Sequence, residues 1–163
     1  MAVSTAKFTL PGSGLPTLTF QTTLSGEHWC KRSYSGYVLG DRIASSGVPL
    51  YPGIWRGFTW QLSPLATGNQ WMLFEEMIAR QTSRYSTQQD GHIIFEDLVN
   101  YVPASLSAIN SRSVVTGSAV ATGYGFDRVY CAYKVFISLP ENHAIPAILD
   151  DWYSLEFSVE ELP

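Results

Sequence analysis

The chain has 163 residues and a net charge of −4, and only 15% of its residues are charged whereas 45% are hydrophobic and 13% aromatic. This length fits one domain with a full core, but an ordinary soluble surface carries about 25% charged residues. Permanent protein neighbours explain missing surface charge, because interface cores are depleted in charged residues and enriched in aromatics. The sequence has no basic stripe, which excludes tight nucleic-acid binding.

The charge is unevenly distributed along the chain. Residues 1–82 contain six basic and four acidic residues, whereas residues 83–163 contain four basic and ten acidic ones. An acidic surface that faces DNA is still conceivable, since a channel through which DNA slides should not grip its phosphates.

The first part of the chain predicts an arm followed by strands. Residues 1–16 are small and polar and contain two prolines and two glycines, so we predict an extended N-terminal arm that either orders on a neighbouring protein or frays. Residues 17–163 are predicted to form a single β-rich domain. Within it, alternating hydrophobic residues predict strands over residues 17–24, 28–38 and 54–62.

One amphipathic helix is predicted at about residues 67–84. Thr67 is a good N-cap, and Gln70 completes a capping box. Glu76 and Arg80 are spaced i, i+4 on the solvent face and favour each other modestly. The apolar positions recur on one helical face, which we expect to pack on a sheet: Trp71, Phe74, Met77 and Ile78.

Strand patterns return after the helix. Alternation is clearest at the end of the chain, where Leu155 and Phe157 are predicted to face the helix–sheet core and Glu156 and Glu160 to face away. The other predicted strands are residues 92–102, 114–121 and 126–139. Together the patterns predict a mainly β fold, an antiparallel β-sandwich or barrel with one flanking α-helix.

Residue types that carry chemistry are sparse. The signatures of phosphate-binding loops, zinc proteases and serine hydrolases are missing, so we predict no enzymatic activity, no catalytic residue, no cofactor and no metal site. Cys30 and Cys131 are predicted to be buried thiols. His28 and Cys30 point the same way on a strand, which leaves a Cys–His nucleophile as a minor alternative. Adjacent carboxylates such as Glu96 and Asp97 face opposite sides of a strand and cannot act together.

The tryptophans and tyrosines can have either of two roles. They form either core and subunit interface, where these residues are enriched, or a platform on which sugar rings stack. We favour the interface. The residues concerned are Trp29, Tyr34, Tyr37, Trp55, Trp60, Tyr124 and Tyr133.

The order of four stretches along the chain is similar to that in a known protein family. They are the sequence FTWQL at residues 58–62, the helix around residues 71–74, residues 93–95, and the terminal strand at residues 155–162. This order resembles the tail-tube-like proteins of tailed bacteriophages, in particular the small tail-tip and distal-tail or baseplate members. The resemblance covers residues 54–162. It implies a β-sandwich or barrel with one flanking helix, whose copies join their sheets around a ring that continues or ends the tail tube.

The expected function is therefore that of a structural virion protein that forms a ring of a phage tail, at the tail tip, the distal tail or the junction of baseplate and tube. The expected partners are other copies in a homo-oligomeric, hexameric ring, neighbouring tail or capsid proteins, and DNA in passive contact. Ring closure pairs sheet edges that would otherwise promote aggregation. Some acidic residues should then line the lumen, with Glu156 and Glu160 favoured over Glu96, Asp97 and Asp127.

Two alternatives remain open at this stage. One is a capsid decoration (cement) protein, a β-rich trimer whose residues 1–16 grip the shell. The other is a carbohydrate-binding module. No apolar run approaches the roughly 20 residues that a membrane-spanning helix needs, so we expect no membrane anchor and a protein that is assembled into the virion in the host cytoplasm.

Overall fold

The computed structural model describes residues 5–21, 28–34, 57–87, 92–108, 111–121, 127–140, 147–149 and 152–162. The elements of this part of the chain are β1 (Thr5–Thr9), β2 (Leu18–Gln21), β3 (Cys30–Tyr34), β4 (Phe58–Leu62), β5 (Leu65–Thr67), α1 (Gly68–Ser86), β6 (Ile93–Pro103), a 3₁₀ turn (Ala104–Leu106), β7 (Ser113–Val114), β8 (Val120–Ala121), β9 (Asp127–Ser138), β10 (Ala147–Leu149), β11 (Trp152–Ser154) and β12 (Phe157–Glu161).

Most strands belong to one antiparallel sheet. Its order is β2-β1-β6-β9-β12-β4-β3, with β7 and β8 also pairing with β9. The sheet curls into a half-barrel, and α1 lies on its flank. A small second sheet has the order β10-β11-β5. The predicted class, mainly β and antiparallel with one flanking helix, is confirmed.

Residues 5–9 form a strand inside the sheet. Strand β1 pairs with β2 on one side and with β6 on the other, and Ala6 and Phe8 have no solvent exposure. The prediction of an arm outside the domain is therefore wrong for residues 5–16. The glycines that suggested a loose tail instead form the turn between β1 and β2, where Gly12 and Gly14 adopt positive φ angles of 69° and 75° that favour glycine.

Helix α1 closes the hydrophobic core over the curled sheet. Thr67 is its N-cap, and the predicted capping box with Gln70 is present. Phe74 and Met77 are fully buried, whereas Trp71 and Ile78 are partly buried against the same core. Their sheet partners at the end of the chain, Leu155 and Phe157, are buried too, and the rings of Phe74 and Phe157 lie 4.7 Å apart.

A buried amide anchors the middle of α1. The Gln81 side chain donates to the Ile137 carbonyl at 2.9 Å and accepts from the Ile137 N–H at 3.0 Å. Both polar atoms of the amide are thereby satisfied inside the core. The helix is thus fixed to β9 by polar contacts as well as by packing.

Two substitutions on opposite faces of α1 should differ sharply. Phe74→Ala is expected to lower the free energy of unfolding by about 3–5 kcal/mol, because it empties an aromatic core site. Glu76→Ala should cost under about 0.5 kcal/mol, since its ion pair with Arg80 is exposed. Urea melts of the two variants measure this difference, and indistinguishable midpoints would refute the assignment of the faces.

Candidate functional site

The two ends of the large sheet are the first candidate for a functional surface. Within the described residues, neither β2 nor β3 has a second strand beside it. The side chains that both edge strands direct outward are hydrophilic, with Thr19 and Gln21 on β2 and Lys31 and Ser33 on β3. An unpaired edge is a template for another strand unless something covers it.

The directions of the backbone N–H and carbonyl groups show which of them, on β2 and β3, point away from the neighbouring strand. The Thr19 carbonyl accepts from the Gln70 side chain of α1 at 2.7 Å, so it points away from β1. Polar backbone groups of alternate residues point to the same side of an antiparallel strand, and the Gln21 N–H therefore also points away from β1. On β3, Trp29 O accepts from Ser63 N, which places the N–H and carbonyl of Arg32 on the open side.

The two predicted lumen residues lie on the outer face of the sheet, opposite the core. Glu156 and Glu160 are both exposed, and in the strand register Glu160 lies between Thr59 of β4 and Phe136 of β9. This face also carries Lys31 and Lys134. It is therefore of mixed charge in the described part.

Asp97, a less favoured lumen candidate, is instead a fully buried group. Its carboxylate accepts from Trp60 Nε1 at 2.8 Å and from the backbone N–H groups of Val99 and Asn100 at 3.0 and 2.9 Å. Burial raises the pKa of this carboxyl, and the three N–H donors oppose the shift. Asp97 cannot line a channel. Its neighbour Glu96 faces outward toward Lys7, as the predicted alternation required.

The carboxylate of Asp97 stabilises an irregularity in β6. The pairing of β6 with β9 shifts register between Asp97 and Val102, and the side chain of Asp97 holds the two N–H groups that this bulge frees. Asn100 then donates to the Cys30 carbonyl at 3.4 Å, and Arg32 donates to the Tyr101 carbonyl at 2.9 Å. Residues Asn100 and Tyr101 of β6 are thereby hydrogen-bonded to edge strand β3.

A second buried polar contact lies next to this region. Arg112 and Glu161 form a two-pronged ion pair with N···O distances of 2.6 and 2.8 Å, and both side chains are almost fully buried. Glu161 also accepts from the Phe58 N–H at 2.8 Å, and the Arg112 guanidinium lies over the Phe58 ring. Sequence reasoning missed this pair, because 49 residues separate its members and only the strand register brings them together.

A cleft opens on the outer face of the sheet between β3, β4 and β12. Its volume is about 430 Å³. Its lining includes His28, Lys31, Glu156, Leu139 and Pro140. His28 has a positive φ of 66°, which is uncommon for a residue other than glycine. This cleft could not be predicted from local patterns, since residues of β3, β4 and β12 and residues after β9 together form it.

The thiols do not have the environment of a nucleophile. Cys30 and Cys131 are free and buried, as predicted. Burial, and secondarily the Asp97 carboxylate, raises the pKa of Cys30, whereas a catalytic cysteine needs a lowered pKa. His28 is exposed while Cys30 is buried. The geometry therefore does not support the Cys–His alternative.

The raised pKa of Cys30 predicts loss of stability at alkaline pH. The unfolded thiol loses its proton above about pH 9, near its ordinary pKa, while the folded thiol keeps it. The free energy of unfolding therefore falls as the pH rises above this value. Between about pH 8 and pH 10.5 the native chain should lose about 2 kcal/mol more unfolding free energy than the Cys30→Ala variant. Urea melts across this range test it, and parallel pH profiles would contradict it.

The proposed sugar platform is not assembled by the described aromatics. Trp29, Trp60 and Tyr133 are almost completely buried in the core, so no sugar ring can stack on them. Tyr34 is 63% exposed. The remaining members, Tyr37, Trp55 and Tyr124, lie outside the described residues. The described part places Trp29, Trp60 and Tyr133 in the core, and the interface stays a prediction.

No family model, no curated protein and no solved structure matches this chain. In the part that the structure describes, no group of three or more metal-ligating side chains is arranged to hold an ion. Among the same residues, no helix has the length and apolar character needed to cross a membrane.

Proposed function

We propose that this chain is a structural subunit that assembles with copies of itself into a ring, and that the ring belongs to the tail of a tailed bacteriophage, as a tail-tip, distal-tail or baseplate ring. The observation that carries the proposal is that β2 and β3 stand at the two ends of one curled sheet and that, among the described residues, no further strand pairs with either of them. The curled antiparallel sheet with a flanking helix agrees with the fold that the resemblance implies.

Two different edges favour a ring over a two-fold dimer. When β2 of one copy pairs with β3 of the next, the contact is heterologous, and repetition of a heterologous contact closes into a ring if the rotation allows. Each copy then satisfies further backbone groups at its edges, such as those of Gln21 and Arg32, in addition to the Thr19 and Cys30 carbonyls that already accept from Gln70 and Asn100. The contact also covers surface in a chain with only 15% charged residues.

A lumen lined by Glu156 and Glu160 is a less supported part of this proposal. Both residues are exposed, but Lys31 and Lys134 share their face of the sheet. A lumen that carries only negative charge would let DNA pass without binding it. A face of mixed charge repels the DNA phosphates less.

The edge contact is tested by a proline at Gln21. Gln21→Pro removes an N–H that points away from β1, so it should block pairing with a neighbour while leaving the sheet of the monomer intact. We expect the concentration needed for ring formation to rise at least about tenfold, the equivalent of one to two backbone hydrogen bonds.

Gln21→Ala is the matched control, because it keeps the N–H and removes only the side chain. Sedimentation velocity of both variants measures assembly, and urea melts verify that the monomer is folded. Equal assembly of the proline and alanine variants would refute pairing through β2.

The same assembly data distinguish the tail ring from the alternative function, capsid decoration. A decoration protein would form three-fold clusters on a shell rather than a closed ring around a channel. The described aromatics give no comparable support to the carbohydrate-binding alternative.

A further inference from the structure

One end of the half-barrel carries a group of two half-buried arginines and two exposed tyrosines, which we call the arginine–tyrosine patch: Arg32, Arg128, Tyr34 and Tyr101. Tyr34 is 63% exposed and Tyr101 is 46% exposed. Met72 and Val114, outside the patch, are exposed to a similar degree in the described part, at 66% and 46%. Tyrosine and arginine are the residues most enriched at the energetic centres of protein interfaces.

Direct contacts make the patch continuous. Arg128 lies over the Tyr101 ring at 4.7 Å, and Arg32 donates to the Tyr101 carbonyl at 2.9 Å. Arg32 also lies over the Phe58 ring at 4.4 Å, and the Tyr34 ring is 5.1 Å from the same ring. The hydrogen bond and ring contacts hold these long side chains in place, which lowers the entropy that a partner would have to remove.

The patch is positively charged and its charge is not neutralised within the described residues. Arg112 next to it is paired with Glu161, but in the described part neither Arg32 nor Arg128 has a carboxylate within ion-pair distance. Asp127 is the acidic residue adjacent in sequence to Arg128. Two arginines are too few for a nucleic-acid site on a chain of net charge −4.

A complementary surface exists on the same molecule. Glu156 and Glu160 are exposed on the outer face of β12, and neither has an ion pair within the described residues. The cleft of about 430 Å³ lies beside Glu156, and Leu139 and Pro140 form an apolar part of its wall. The cleft is also lined by His28 and Lys31, so this surface is of mixed charge, and it offers an arginine or tyrosine the two glutamate carboxylates and an apolar part of the lining.

We propose that the arginine–tyrosine patch of one copy binds the outer face of β12 of a second copy, with Arg128 and Arg32 directed at Glu160 and Glu156. This inference rests on the proposed function. It assigns the two glutamates to a contact between copies in place of a lumen. Complementary charge of this kind sets partner choice and register more than raw affinity.

The contact joins copies of different rings. Edge pairing places β2 of the neighbour beside β3, whereas β12 lies four strands from β2 in the sheet order, about 19 Å away at the usual strand spacing. The copy that contributes β12 is therefore not the copy that contributes β2. Edge pairing forms the ring, and the patch stacks one ring on another.

Charge reversal with rescue tests the contact on the full-length chain. Arg128→Glu should leave single rings intact and raise the concentration needed for stacking at least about tenfold, because like charges then face each other. Glu160→Arg alone should have the same effect, and the Arg128→Glu, Glu160→Arg double variant should restore stacking. Stacking by the native chain should weaken as salt rises.

Arg84→Glu is the matched control. Arg84 is a surface arginine on α1 that donates to the Pro11 carbonyl and, like Arg128, has no carboxylate at ion-pair distance within the described residues. Its reversal should leave stacking unchanged. Native mass spectrometry and electron microscopy count copies and rings, and melts verify that each variant is folded.

The outcomes separate this inference from the function on which it rests. Rings that stack normally with Arg128→Glu, or a double variant without rescue, overturn the contact and leave the ring untouched. Loss of single rings by Arg128→Glu also overturns it, since the patch would then belong to the edge contact. A native chain without rings overturns the proposed function and this contact together.

Discussion

Deletion of residues 1–16 is expected to abolish folding. Strand β1 lies between β2 and β6, and its removal would take out an interior strand and leave β2 with no pairing strand among the described ones. Phe8 alone stacks on Phe95 at 4.6 Å and meets the rings of Phe20 and Phe157 at about 6 Å. Far-ultraviolet circular dichroism and urea melts of the truncated chain measure the effect, and a cooperative melt near the native midpoint would contradict it.

Substitutions within β1 provide the control for the deletion. Phe8→Ala should cost about 3–5 kcal/mol, because Phe8 is fully buried. Lys7→Ala on the opposite face should cost less than about 1 kcal/mol, since its contact with Glu96 is exposed and 3.9 Å long. A similar cost for the two variants would show that β1 is not packed in the core as described.

Glu161→Gln is expected to lower the free energy of unfolding by about 3–5 kcal/mol, because it leaves Arg112 as an uncompensated buried charge. Glu160→Gln is the matched control on the same strand. Glu160 is exposed, so its substitution should cost under about 0.5 kcal/mol. Thermal and urea melts of the two variants compare them directly, and equal costs would argue against the buried ion pair.

A paired replacement separates the cost of breaking this ion pair from its net contribution. Arg112→Met combined with Glu161→Leu removes both charges together, and such replacements are often neutral or stabilising. The double variant should therefore be clearly more stable than Glu161→Gln. If it were less stable than the single variant, the pair itself would contribute to stability beyond the satisfaction of Arg112.

The helix and the last strand could be predicted from sequence because their signals are local. The capping box at Thr67 and Gln70 and the apolar face at Phe74 lie within a few residues of one another, and the same holds for the alternation around Phe157. Local backbone geometry fixes both patterns. The structure agrees with them to within two residues at the end of the helix, which was expected at residue 84 and ends at Ser86.

Features that depend on distant residues could not be predicted in this way. In β1, only Ala6, Phe8 and Leu10 alternate before a turn rich in proline and glycine, and nothing local shows that β6 will lie beside them. Alternation places Glu161 on the same side of β12 as Phe157, but it does not show that Arg112 will lie beside it. The burial of Glu161 follows from the place of β12 between β4 and β9 in the sheet, a relation that a single sequence does not contain.

In the candidate functional site, too, some features follow from local sequence patterns and others depend on distant residues. Alternation predicted that Glu156 and Glu160 are exposed, and the structure agrees. Alternation could not show that Lys31 and Lys134 share their face, or that Asp97 turns inward to hold a bulge in β6. Both facts depend on which strands become neighbours.

The measurement that tests the central claim most directly is electron microscopy of the purified full-length chain, with image classes sorted by symmetry. The account predicts closed rings around a central channel, six-fold in symmetry, in which the sheet of each copy continues into the next through β2 and β3. Monomers at all concentrations would contradict self-assembly. Three-fold clusters without a channel would contradict the tail ring and favour capsid decoration.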